Sequence, residues 1–122
     1  MNRILLTTLA LALALAGAAC KNDVPAPWKE MVFPLSNATI LPGASDKRFK
    51  VKYSGIRKPK PYFREWKSAL GRGGFQFMED APNNDPTEGV MAAIFQKEGT
   101  RVRLTVYADA HTHAEVKVEE EQ

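Results

Sequence analysis

The stretch PYFREWKSALGRGGFQF, residues 61–77, decides how this chain folds. Tyr62, Phe63, Trp66, Ala69 and Leu70 recur at helical spacing and share one face, while Arg64, Lys67 and Arg72 turn away from it. Pro61 suits a first helical turn, where its missing N–H leaves no bond unmade. Gly71, Gly73 and Gly74 supply the stop, because glycine takes the left-handed conformation that closes a helix. The reading is one amphipathic helix of about three turns, with an aromatic face that must be buried against something else.

That partner is a sheet. Before the helix, Ala38-Thr39-Ile40-Leu41 is a short apolar run ended by Pro42-Gly43. Phe49, Val51 and Tyr53 then alternate with Arg48, Lys50 and Lys52 up to Ser54-Gly55. Period-two alternation is the mark of a half-buried strand, and the turn formers between the two runs favour a hairpin. After the helix, Phe75 and Phe77 alternate with Gln76 and Met78 to give a third strand. The segment EDAPNNDPTEG, residues 79–89, is too rich in turn formers to be anything but a loop. An apolar run resumes at 90–96 and turns at Lys97-Glu98-Gly99. Val102, Leu104, Val106 and Ala108 alternate with Arg101, Arg103, Thr105 and Tyr107, and past a turn at 109–112, Ala114, Val116 and Val118 alternate with Glu115, Lys117 and Glu119. Short turns between closing strands imply an antiparallel meander. The expected fold is α+β, a two-layer sandwich of one helix on an antiparallel sheet of about five strands, ordered β-β-α-β-β-β.

Tyr62, Trp66, Leu70, Gly74 and Phe75, an aromatic helix ending in Gly-Phe ahead of a β-meander, resemble the helix-grip domains of lipoproteins in outer-membrane assembly machinery. The resemblance covers about residues 60–119 and carries a fold, not a function.

The N-terminus reads as an address. Arg3 precedes an uncharged apolar run at residues 4–19, which ends in Gly17-Ala18-Ala19 and meets the single cysteine of the chain, Cys20. A positive start, an apolar stretch and small residues before a cut site mark a secretory signal, and the run is shorter than the roughly 20 residues of a membrane-spanning helix. Ala16-Gly17-Ala18 also fits ordinary signal cleavage, which would leave Cys20 a free thiol near the start of a secreted protein. Small residues immediately before a cysteine resemble the precursor of a bacterial lipoprotein. That resemblance implies an acylated Cys20 as mature N-terminus, and Lys21 after it resembles the outer-membrane sorting pattern. The organisation is then a signal peptide at 1–19, a lipidated N-terminus and tether at 20–30, and a small α+β domain at 31–122. Trp28 stands out in the proline-bearing tether, either packed on the domain edge or resting at the membrane interface.

With one cysteine there is no intrachain disulfide, so the core alone must hold the domain. The formal charge of +3 does not call for nucleic acid, and no base-stacking motif accompanies the cations. Lys47, Arg48, Lys50, Lys52, Arg57, Lys58 and Lys60 form a basic segment with no acid between 47 and 60. It is either a solvated face, set against Glu115, Glu119, Glu120 and Glu121 across the sheet, or a contact for anionic headgroups or an acidic envelope partner. Asp109, His111 and His113 alternate, so an extended segment would offer two imidazoles and a carboxylate to a divalent metal. No serine sits in a nucleophile elbow and there is no glycine-rich phosphate loop. The leading expectation is a lipid-anchored, non-enzymatic binding or assembly protein of the cell envelope, at the outer membrane facing the periplasm, without a cofactor. The alternative is a small periplasmic metal-binding protein using Asp109, His111 and His113.

Overall fold

Residues 24–54 and 58–119 are described by the computed structural model. Two strands, β1 (Ala38–Ile40) and β2 (Arg48–Tyr53), precede the helix α1 (Pro59–Arg72). Four follow it: β3 (Gln76–Asp80), β4 (Val90–Lys97), β5 (Thr100–Ala108) and β6 (Thr112–Val118). They form one antiparallel six-stranded sheet in the order β1-β2-β6-β5-β4-β3, with α1 against one face. The class and the meander are as the patterning implies, with six strands instead of about five. Each of the four runs after the helix pairs as a strand of its own, where the expected order has three, and the outermost, β3, is an edge strand whose five residues are all exposed. It is held by main-chain pairing to β4 and not by burial.

The helix begins at Pro59, with both prolines in its first turn, where backbone N–H groups lack intrahelical partners in any case. Its end is a Schellman turn. Phe75 N–H reaches Leu70 O at 3.0 Å and Gly74 N–H reaches Gly71 O at 3.1 Å, with Gly74 at φ +95°. Of the three glycines, Gly74 is therefore the one that needs the left-handed conformation. The turn drops Phe75 back into the core beside Leu70.

Trp66, Ala69 and Leu70 lie over the inner side chains of the sheet, among them Phe49, Val51, Leu104 and Val116. Trp66 Nε1–H donates to the Tyr53 hydroxyl at 2.7 Å, and that hydroxyl donates to the Pro34 carbonyl. Both ends of the buried phenol are satisfied. Burial pushes the Tyr53 pKa well above the ordinary tyrosine range, against the opposing hydrogen bond from Trp66. The sign follows from linkage: the unfolded chain ionises near pH 10 while the folded chain keeps its proton. This contribution to stability is full below about pH 10 and is lost as the pH rises further. Urea midpoints measured from neutral to alkaline pH should fall more steeply for wild type than for Tyr53→Phe, and parallel curves would refute the assignment.

The N-terminal segment is part of this core. Val24 is 7% exposed and Trp28 1% exposed. Trp28 stands in a short 3₁₀ turn (Trp28–Glu30), its ring 5.9 Å from Phe49 and 6.4 Å from Phe75, and its Nε1–H donates to Ser45 O at 3.1 Å. Phe33 follows, 4.4 Å from Trp66. This corrects the expected organisation, because the tract read as a tether up to Glu30 is packed from Val24 onward. It also removes the membrane-interface reading of Trp28, whose ring is already enclosed by protein. A two-layer sandwich leaves its ends open, and residues 24–33 close the end beside the C-terminus of α1.

Candidate contact surfaces

Alternation along β2 turns Phe49, Val51 and Tyr53 toward the helix and Arg48, Lys50 and Lys52 onto the opposite, open face of the sheet. Because β2 pairs with β6, these three stand in register with Lys117, Glu115 and His113. Arg48 Nε lies 3.4 Å from Glu115 Oε2, an exposed pair of the kind worth little in water. The ammonium of Lys50 lies 5.2 Å from the centre of the Tyr107 ring. Among the described residues, Lys52 meets no carboxylate.

Of the acids expected opposite the basic segment, Glu115 stands there and Glu119 does not. Glu119 pairs with Arg103 at 2.5 Å, and Glu79 with Arg101 at 3.5 Å. Glu120 and Glu121 lie outside the described residues, as do Arg57 and Cys20. Part of the open face is also covered. Asn83 donates to Thr105 Oγ1 and accepts from Arg103, while Asn84 Oδ1 accepts Ala92 N–H at 2.9 Å, folding the loop after β3 over Ala92 and Ile94.

The described part of the basic segment runs the length of β2, with Arg48, Lys50 and Lys52 between its two ends. Lys47 is exposed in the turn before β2, and its carbonyl accepts Val118 N–H at 2.7 Å. Lys58 and Lys60 lie at the other end of β2's length, about 20 Å away for a strand of this size. There they flank a cleft of about 480 Å³ floored by Pro59, Pro61, Pro86 and Met91. Both lysines stand at the N-terminus of α1, where the helix dipole disfavours cations, and no acid lies in that first turn.

The proposed metal ligands behave differently. Asp109 Oδ1 accepts the His111 N–H at 2.9 Å, and this bond holds the Asp109 carboxyl below its ordinary range, with the nearby His113 a smaller contribution. The same oxygen lies 3.6 Å from Nδ1 of His113, whose ring stacks on Tyr107 at 4.8 Å. Asp109 and His113 are therefore brought together, while His111 enters through its backbone as part of the turn. Among the described residues no three His, Cys, Asp or Glu side chains converge as a ligand set.

The Lys50–Tyr107–His113 arrangement was not read from the sequence. The turn between β5 and β6 signalled a hairpin, but the pairing of Tyr107 with His113 depends on which residues close that turn. No protein-family model matches the chain, and no curated protein or solved structure is significantly similar to it.

Proposed function

We propose that the chain is a lipoprotein of the bacterial cell envelope, acylated at Cys20, whose small α+β domain serves as a non-enzymatic binding or assembly module at the outer membrane facing the periplasm. Its location rests on the apolar run at residues 4–19 and the small residues that lead to Cys20. The contact surface rests on one observation. Arg48, Lys50 and Lys52 lie on the β2 side of the open sheet face, away from the loop that covers Ala92 and Ile94, and of these only Arg48 meets a carboxylate among the described residues. An acidic partner or anionic headgroups would complete that charge, each cation near such a surface contributing about 1 kcal/mol.

Reversing Lys50, Lys52, Arg57 and Lys58 to glutamate tests the surface. Capture of envelope neighbours by crosslinking in cells, or binding to anionic vesicles, should fall at least tenfold, which requires only about 1.4 kcal/mol. Unchanged capture and unchanged vesicle binding would remove the basic segment from the function. An N-terminal peptide without acyl chains, seen by mass spectrometry, would remove the anchor.

A further inference from the structure

We infer that the domain is held against its own bilayer by a very short leash and docks on anionic lipid headgroups through the end of the sandwich where Val24 enters the core. The inference rests on acylation of Cys20 and adds what only the packing of residues 24–33 reveals. Three residues separate Cys20 from Val24, and the four steps of chain span at most about 14 Å fully extended. A free tether as far as Glu30 would reach about 35 Å. Val24 supplies no slack, since it is buried and Trp28 behind it is fixed by Ser45, Phe49 and Phe75.

The same contacts identify the surface that meets the membrane. Trp28 ties the segment to Ser45 just before β2, and a cleft of about 440 Å³ joins Pro27 and Glu30 to Arg72 at the end of α1 and to Lys97 and Glu98 in the β4–β5 turn. Lys29, Lys47, Arg72 and Lys97 are exposed at this end beside Glu30, Asp46 and Glu98. Arg72 and Lys97 also donate to the Val32 and Gly73 carbonyls, Glu119 follows Val118 beside Lys47, and charges so nearly balanced would not hold a free domain on a membrane. On a leash this short the effective concentration is high, so a weak attraction is sufficient. The 14 residues of α1 cover about 21 Å. They carry Lys58, Lys60 and the proline-floored cleft to the end that points away from the bilayer, so that of the two occupants proposed for the basic segment this orientation leaves the acidic partner and not the headgroups.

The only cysteine of the chain is occupied by the anchor, so an introduced cysteine can be labelled uniquely. Glu30→Cys and Glu88→Cys remove the same charge at exposed 3₁₀ turns at opposite ends of the domain. Each is labelled with a fluorophore and reconstituted, as the mature lipidated protein, in vesicles of phosphatidylethanolamine and phosphatidylglycerol containing a nitroxide-headgroup lipid. Quenching at position 30 should exceed that at position 88 about fivefold, because the second site stands roughly a helix length further from the bilayer. A flexible insert of about 20 Gly/Ser residues between Asp23 and Val24 should largely abolish the difference, since such a chain reaches about 25 Å. Replacing phosphatidylglycerol by phosphatidylcholine should narrow it. Equal quenching at the two positions in the uninserted protein overturns the docking, and a difference indifferent to lipid charge overturns the headgroup contact. Failure of the protein to float with the vesicles overturns the anchor itself.

Discussion

Trp66→Ala lowers the unfolding free energy by about 3–5 kcal/mol, the range for deleting a large aromatic from a packed core. Trp66 is fully buried, with ring centres of Phe33 at 4.4 Å and Phe49 at 5.5 Å, and it donates its only polar hydrogen to Tyr53. The neighbouring rings are themselves fixed from two layers, so the void cannot collapse fully. For a domain of about 100 residues, each kcal/mol shifts the melting temperature by about 4–8 °C. The loss is thus a large part of a total of about 5–15 kcal/mol. Trp66→Phe keeps most of the volume and removes the hydrogen-bond donor. It should cost less than half as much, because the Tyr53 hydroxyl retains Pro34 as acceptor. A Trp66→Ala protein melting within a degree or two of wild type would mean that α1 does not cover this sheet.

Trp28→Ala gives the second large effect, again about 3–5 kcal/mol. It separates two descriptions of the N-terminal segment. If residues 20–30 were a free tether, the substitution would change stability by less than about 0.5 kcal/mol, as exposed positions do. The packed segment predicts instead the loss of a buried indole that touches Phe49 and Phe75 and hydrogen-bonds to Ser45. Lys29→Ala, at an exposed neighbouring position, should be near neutral and serves as the control. Urea unfolding of the mature chain without its lipid gives both values. A Trp28→Ala curve that overlays the Lys29→Ala curve would return the segment to a tether and release the leash inferred from it.

The parts of the molecule legible in advance are those with a period. Tyr62, Phe63, Trp66, Ala69 and Leu70 declare a helix because one face must be apolar, and β2, β5 and β6 declare themselves by alternation. The edge strand β3 was legible only as a strand. Its bulge between Phe77 and Glu79 leaves Phe77 and Met78 about half exposed, at 46% and 47%, where unbroken alternation would have turned one of them inward. The candidate surface was half legible. The cations were visible as a tract, but their spread from one end of β2 to the other requires knowing that a strand lies between Lys47 and Lys58. Asp109 and His113 meet as their spacing suggested, while His111 does not join them, because its N–H closes the turn on Asp109.

Read alone, the residues determine a helix with an aromatic face, a set of amphipathic strands, an address ending at Cys20 and an uneven distribution of charge. Each of these is a local property, set by the spacing of apolar and charged side chains along the chain. Only the tertiary structure decides that β6 enters between β2 and β5, that the basic tract lies along the open face beside β6, and that Trp28 belongs to the core. The physical reason is the same in all three. The groups that pair with β2, and those that enclose Trp28, lie far along the chain, and an aperiodic segment such as residues 24–33 does not show which open end of a sandwich it will close.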